Sequence, residues 1–385
     1  MLRIGGVTLA ERKKKRKWLK LFPKHGYILL LIGILIGFLL FTLISVIFEK
    51  GGVNAIEFLY TSEKQSWIEE ITPLFEQWYF EKHGERVQIE LTVTGTHDSV
   101  TQILWGNVKP VAWSPASSIW IPYLNLMWKN LGNQEDIASD NWNRTVLSPV
   151  VIVGWKSLIK QHNITGFTDL YELAKTHDFK YGHPDPRDSN GGTMIVALEF
   201  AEAACKKPET LEIDDFKDES VLESVRSLES KAVYYSKSTG FFGTWAALNG
   251  PSAISYFGIY ENGVIDNALK AEKKWGDALV AIYPENGTLF TDHPFVILDA
   301  SWVEPWQKEV AKEYLTFLLK EESQQKAQQY GFRPANPNVP LDTTIFNEEN
   351  GVRANIADVA TLNPLRGEAL EALFTVWIKV KNQGT

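Results

Sequence analysis

From residue 53 onward, short runs of β-forming apolar residues alternate with segments of helical periodicity, and no other feature of the chain restricts its fold as much. Val53 to Tyr60 reads as a strand. Ser62 then stands as an N-cap with Gln65 at the capping-box position. Trp67, Ile68, Ile71, Leu74, Phe75 and Trp78 recur at the spacing of one helix face. Val87 to Thr94 is a second strand, and Thr96 caps a short helix carrying Val100, Ile103 and Leu104. Pro110 to Trp113 is a third strand, and Pro115 to Lys129 opens another helical segment. Strand, helix, strand, helix, strand in that order predicts an α/β fold with a parallel sheet covered by helices.

The pattern then crosses over and returns. Leu147 to Trp155 is a nearly continuous apolar strand behind a polar stretch, placed to cross into a second lobe. Phe167 to Lys175, Thr193 to Ala204 and Phe241 to Leu248 read as helices, and Ala253 to Phe257 as a strand. Leu279 to Tyr283 and Pro294 to Leu298 read as strands that bring the chain back. One long helix is expected from Pro305 to Gly331, while Leu370 to Lys379 suits either helix or strand. A chain of 385 residues is expected to form more than one unit. The predicted division places residues 53–150 and 280–385 in a first lobe and residues 151–279 in a second.

Ahead of this body, nine Lys or Arg and one acidic residue precede position 27, and 22 uncharged residues run from Tyr27 to Phe48. At about 1.5 Å per residue that run matches a hydrocarbon core of roughly 30 Å. Read alone, it predicts a basic cytoplasmic tail over 1–26 and a transmembrane helix over 27–48 in contact with membrane lipid. The body would then be extracytoplasmic and the protein a single-pass cell-membrane protein. A cleaved signal peptide is the rival reading, opposed by the poor cleavage site in VIFEKGG.

Composition excludes several functions. The first 26 residues carry +8 of charge against −8 for the whole chain, which leaves −16 on the remainder and argues against nucleic acid as a partner. A lone Cys205 excludes an intramolecular disulfide framework and a cysteine-based zinc cluster. Neither a Walker loop nor a dinucleotide glycine fingerprint is present, so no cofactor is expected. Asp292 and His293 set an acid beside a base, but no motif ties a serine or cysteine nucleophile to them, and no catalytic residue is assigned.

Three polar turns follow strands: Thr61-Ser62, Thr94-Gly95-Thr96-His97 and Ser114-Pro115-Ala116-Ser117-Ser118. In open α/β sheets ligands bind beyond the carboxyl ends of strands, where helix starts offer free N–H groups. Ser and Thr add donors there without negative charge, which suits a small anion, although each taken singly is also an ordinary cap. In the second lobe, Ser189 to Thr193 closes the turn DPRDSNGGT, whose Gly191 and Gly192 permit close backbone approach at a helix start. Tyr256, in AISYFGIYEN, offers a hydroxyl near a strand end, with wall packing as its alternative; Glu261 would suit a cationic or hydroxylated ligand. His183, Asp185 and Asp188 have a spacing open to a metal, but in so polar a turn the signal is weak and no metal site is assigned.

The segments EFLYTSEKQSW, TVTGTHDSV, WSPASSIW, GHPDPRDSNGGT, AISYFGIYEN and YPENGTLFTDHPFVILDASW share their order and wording with a known family. The most specific is FLLKEESQQKAQQYGFRPANP, a late helix followed by a GFRP-type turn. Over residues 53–340 the chain resembles the bacterial extracellular solute-binding proteins with the type 2 periplasmic-binding fold, in the broad subgroup of molybdate- and sulfate-type receptors. The resemblance implies two α/β lobes with a ligand between them. It implies first-lobe contacts at Ser62, Thr96, Ser114, Ser117 and Ser118, and second-lobe contacts at Ser189, Gly191, Gly192, Thr193 and Tyr256. The protein it implies is not an enzyme: it captures a small-molecule ligand, an oxyanion being one candidate, for an ABC permease or a sensor. Two readings of other classes stay open: an assembly or signalling module that keeps the fold without transport, and an extracytoplasmic enzyme.

Overall fold

The computed structural model describes residues 54–139 and 141–383. β1 (Asn54–Thr61), α1 (Gln65–His83), β2 (Val87–Thr94), α2 (Thr96–Leu104), β3 (Ala112–Ser114) and α3 (Trp120–Asn130) open the body. β4 (Asn143–Arg144) and β5 (Val146–Trp155) lead into α4 (Lys156–His162), α5 (Phe167–Thr176), β6 (Tyr181–Pro184) and α6 (Asn190–Ala203). α7 (Glu219–Glu229), β7 (Ala232–Ser236), α8 (Thr239–Asn249), β8 (Tyr256–Tyr260), α9 (Glu261–Trp275) and β9 (Leu279–Ile282) follow. The chain returns through β10 (Phe290–Thr291), β11 (Pro294–Ile297), α10 (Pro305–Leu318), α11 (Glu321–Gln329), β12 (Arg333–Pro334) and α12 (Gly367–Gln383).

The strand period of two decides what β1 touches. Phe58 and Tyr60 join a core with Trp67 and Phe75 of α1, whereas Leu59 joins another with Val100 and Ile103 of α2 and with Trp113 and Trp120. One core is aromatic at its centre: Phe58 stacks on Phe295 at 5.1 Å between centroids and meets the edge of Tyr314 at 5.5 Å. β1 and β3 are parallel, with Leu59 opposite Trp113, as the alternation predicts. The sheet order is β2-β1-β3-β11-β4, and β11 runs antiparallel to both β3 and β4. The return strand therefore makes the first lobe's sheet mixed.

β5 is buried along nearly its whole length and is antiparallel to four strands. β12 and β10 flank Val146 to Pro149, and β8 and β9 flank Val150 to Trp155. β6 and β7 form a separate parallel pair. α12 packs on α7 and, through Phe374 stacked 6.5 Å from Trp120, on α3.

Several sequence expectations are corrected. The tail 1–26 and the segment 27–48 lie outside the described residues. Among the described residues no helix is long and apolar enough to cross a membrane, so a transmembrane helix is not shown and the described body stands as a two-lobed α/β fold. A single-pass cell-membrane location accordingly has no support in the structure. Ser62 does not cap: Ser62–Lys64 is a 3-10 turn and the helix starts at Gln65. Gly95, not Thr96, is the N-cap of α2. The long helix expected from Pro305 is two helices, because Lys320 is extended. Its freed carbonyls are satisfied by side chains, Ser323 Oγ donating to Phe317 O at 2.6 Å and Gln324 Nε2 to Leu318 O at 2.8 Å.

The arginine of the GFRP turn explains why that turn is fixed in place. Arg333 Nε donates to Glu261 Oε2 at 2.7 Å and its Nη2 to Glu261 Oε1 at 2.8 Å, and the same guanidinium reaches the carbonyls of Arg353 and Ala354. Tyr283 also donates to Glu261. Glu261 is thus a buried structural anion with its partners supplied from within. Arg333→Met, which strands that carboxylate, should destabilise the fold by about 3–5 kcal/mol. Arg333→Met combined with Glu261→Leu should recover much of the loss, as read from urea unfolding of the three proteins.

Candidate functional site

β1, β3 and β11 deliver three turns to one place. Behind the Thr61-Ser62 turn, the side chain of Lys64 folds back until it is 1% exposed. Its Nζ donates to Thr61 Oγ1 at 3.0 Å and to Ser114 O at 2.9 Å, and meets His293 Nδ1 at 3.3 Å. An ammonium has no lone pair, so Nδ1 is the acceptor and Nε2 carries the imidazole proton. That Nε2, like Ser114 Oγ, is buried without a hydrogen-bond partner among the described residues. Burial pushes Lys64 from the usual 10.5 down to about 7, with Glu63 and Asp292 opposing it. Burial and the Lys64 charge hold His293 well below the ordinary imidazole value, so its ring is neutral.

The Ser114 to Ser118 turn is tied to the return strand. Ser118 N donates to Asp292 Oδ1 at 2.8 Å, and His293 N donates to Ala116 O at 3.2 Å. Asp292 therefore occupies one of the helix-start donors that the sequence offers to an anion, and burial raises its carboxyl pKa against the pull of Ser118. Thr96 Oγ1 accepts from Ala116 N at 3.3 Å, which joins the second turn to the third, and Ser117 Oγ accepts from Ile119 N at 3.4 Å. Ser62 is exposed and makes no side-chain cap.

The start of α6 is bonded to Trp120, the first residue of α3, just beyond the Ser114 to Ser118 turn. Asn190 Oδ1 accepts from Trp120 Nε1 at 2.7 Å, and Asn190 Nδ2 donates to Tyr260 OH at 2.7 Å. Ser189 Oγ lies 2.9 Å from Thr239 Oγ1. Thr193 turns inward, its hydroxyl donating to Pro186 O at 2.7 Å. The two glycines serve packing: a Cβ on Gly191 would stand 2.2 Å from Thr239 Oγ1 and one on Gly192 2.0 Å from Pro184 O. Tyr256 lies elsewhere, its hydroxyl donating to Leu158 O at 3.2 Å and its ring set edge-on to Phe179. Asp185, read as a metal candidate, is held by Arg187 through Nε at 2.9 Å and Nη2 at 2.6 Å.

Sequence reasoning reached Asn190 only as part of the Ser189 to Thr193 turn, did not put Tyr260 forward as a contact, and gave Lys64 and Trp120 no role. The signal for Tyr260 was present: β8 ends at Tyr260 rather than Phe257, so the rule of strand carboxyl ends points to it. Lys64 carries no such signal, because nothing local says that a lysine in a polar turn will fold inward.

The arrangement presents a buried cation, a neutral imidazole donor and hydroxyls at strand ends, with the Asn190 amide and Tyr260 phenol linked to it through Trp120. It contains no nucleophile aligned with a base. A model of the bacterial extracellular solute-binding protein family matches residues 56–333. No curated protein matches the chain. Among solved structures, a periplasmic thiamin binding protein is similar at 11% identity and TM-score 0.58, covering 86% of this chain and 96% of its own. The sulfate-binding protein of Mycobacterium tuberculosis is similar at 16% and 0.52, covering 86% and 99%. A periplasmic binding protein of Actinobacillus pleuropneumoniae with bound fructose-6-phosphate is similar at 14% and 0.56, covering 85% and 99%. At these identities the likeness carries the fold alone.

The depressed pKa of Lys64 has a sign that can be measured. Between about pH 7 and 10.5 the unfolded chain binds a proton at this lysine that the folded chain has lost. The unfolding free energy of the original protein should therefore gain on that of Lys64→Met as pH rises through this window, and the difference should be flat below pH 7. Paired urea titrations across the range check it.

Proposed function

The chain belongs to the bacterial extracellular solute-binding protein family, and we propose that it captures a small oxyanion between its two lobes for an ABC-type importer or a sensor. The observation that carries this reading is the buried Lys64 ammonium beside the unpartnered Ser114 hydroxyl, at the carboxyl ends of two parallel strands. In a site shielded from water, one cation and neutral donors favour an anion of low charge. The titles of the similar structures speak of thiamin, sulfate and a sugar phosphate, so the choice of oxyanion rests on the local chemistry of this chain. Ser117, Ser189 and Thr96 stand as the further hydroxyls of the proposed site. Gly191, Gly192, Thr193 and Ser118 shape it from behind, and Tyr256, bonded to Leu158 O, lies apart from it.

The proposed lobes are residues 53–150 with 280–385, and residues 151–279. The placement of β5, which begins between β10 and β12 and ends between β8 and β9, supports that division. The bond from Trp120 to Asn190 runs between the lobes so defined, and a ligand that bridges them would favour the closed arrangement.

Calorimetric titration of the full chain with sulfate, phosphate and molybdate tests the reading. One equivalent of at least one of these should bind, and affinity should fall as pH rises through 7. Ser114→Ala should weaken binding by about 1–3 kcal/mol with the fold intact. Binding of a neutral sugar with no response to any oxyanion would leave solute capture standing and remove the oxyanion.

A further inference from the structure

The interior of the second lobe holds a group of side chains that the cleft does not use. His183 on β6, Glu199 on α6 and Glu229 on α7 are all buried, and one ligating atom from each lies within 4.8 Å of the others. His183 Nδ1 lies 2.7 Å from Pro184 O, and a carbonyl only accepts, so Nδ1 carries a proton. His183 Nε2 faces Glu229 Oε1 at 2.9 Å, donating to it when the imidazole is protonated and offering a lone pair when it is not. The buried carboxylates need a positive centre beside them, which is the imidazolium proton when no ion is bound and a metal cation once one displaces that proton.

The carboxylates are oriented from outside. Tyr235 OH donates to Glu229 Oε2 at 2.5 Å, Trp377 Nε1 to Glu229 Oε1 at 2.7 Å, and Tyr181 OH to Glu199 Oε1 at 2.6 Å. Glu199 Oε2 is buried and has no hydrogen-bond partner among the described residues. An imidazole locked by a backbone carbonyl, with carboxylates held by hydroxyl and indole donors, is the outer-shell pattern of metal sites. One nitrogen and carboxylate oxygens suit zinc, manganese or ferrous iron. Two carboxylates in a dry interior are neutralised by one dication.

We propose that His183 Nε2, Glu199 and Glu229 bind one divalent first-row transition-metal cation inside the second lobe. The cation joins β6, α6 and α7, and through the Glu229–Trp377 bond it also braces α12. It shares no residue with the proposed oxyanion site.

The test loads the full chain, stripped with chelator, with Zn2+ alone and reads X-ray absorption at the zinc edge. One tightly held equivalent with a single imidazole and otherwise oxygen ligands is the expected result. His183→Gln should lose that equivalent, Glu199→Gln should weaken it, and Tyr235→Phe should weaken it about 10–100-fold. Absence of stoichiometric uptake by the folded original protein would overturn the proposal. So would two imidazoles per zinc, which would place the ion on the surface pair His162 and His177, whose rings are 5.4 Å apart. Because the original protein is decisive by itself, a variant that fails to fold does not spare the proposal.

Discussion

The backbone ladder of β5 is the constraint on which the rest of the body depends. A ten-residue strand with both faces covered must pair its N–H and C=O groups along both edges, since none can reach water. Four strands do so in succession, two at each end. The near-continuous apolar run is the price of that placement, for Val146, Val150, Val151, Ile152, Val153 and Trp155 each enter a core. At one end the Arg333–Glu261 pair fastens β12 beside it, and at the other Trp155 Nε1 donates to Ile254 O at 2.7 Å.

The cleft is organised by the return strand as much as by the strands that define it. Asp292 and His293 sit between β10 and β11, where His293 has a φ of 38°, in the left-handed region that non-glycine residues seldom occupy. That conformation lets one residue hold the Ser114 turn with its backbone and Lys64 with its ring. The pair that looks like an acid and a base in the sequence acts as scaffolding for the residues above it.

Much of the fold is legible from periodicity. β2 and β5 lie within a residue of where the alternation puts them, because each is a clean β-former run. α9 and the pair β6 and β7 are not legible. The apolar face of α9 is Val264, Ala268 and Ala271, small residues among charges, and β6 is only four residues ending in proline. The antiparallel entry of β11 depends on contacts more than a hundred residues apart in sequence, which no local pattern records. For the cleft, the turns were readable but the direction of each hydroxyl was not. Thr193 and Ser117 look alike in sequence, yet one donates to a carbonyl beneath it and the other accepts from an amide two residues on. β8 ends three residues beyond Phe257, which puts Tyr260 rather than Tyr256 at its carboxyl end.

The antiparallel docking of β11 on β3 also sets a timetable. β3 has one neighbour, β1, until Pro294–Ile297 exists, and Leu147 lacks its Arg333 partner for longer still. At about 5–20 residues per second, synthesis leaves the edge of β3 bare for on the order of ten seconds or more. During that interval Val150–Trp155 of β5 can already pair with β8 and β9, while Val146–Pro149 still waits for β10 and β12. The β5, β8 and β9 ladder can therefore begin to form before the edge of β3 is covered, and that open edge invites pairing with another chain. A chaperone that holds the N-terminal third of the nascent body would act on this interval.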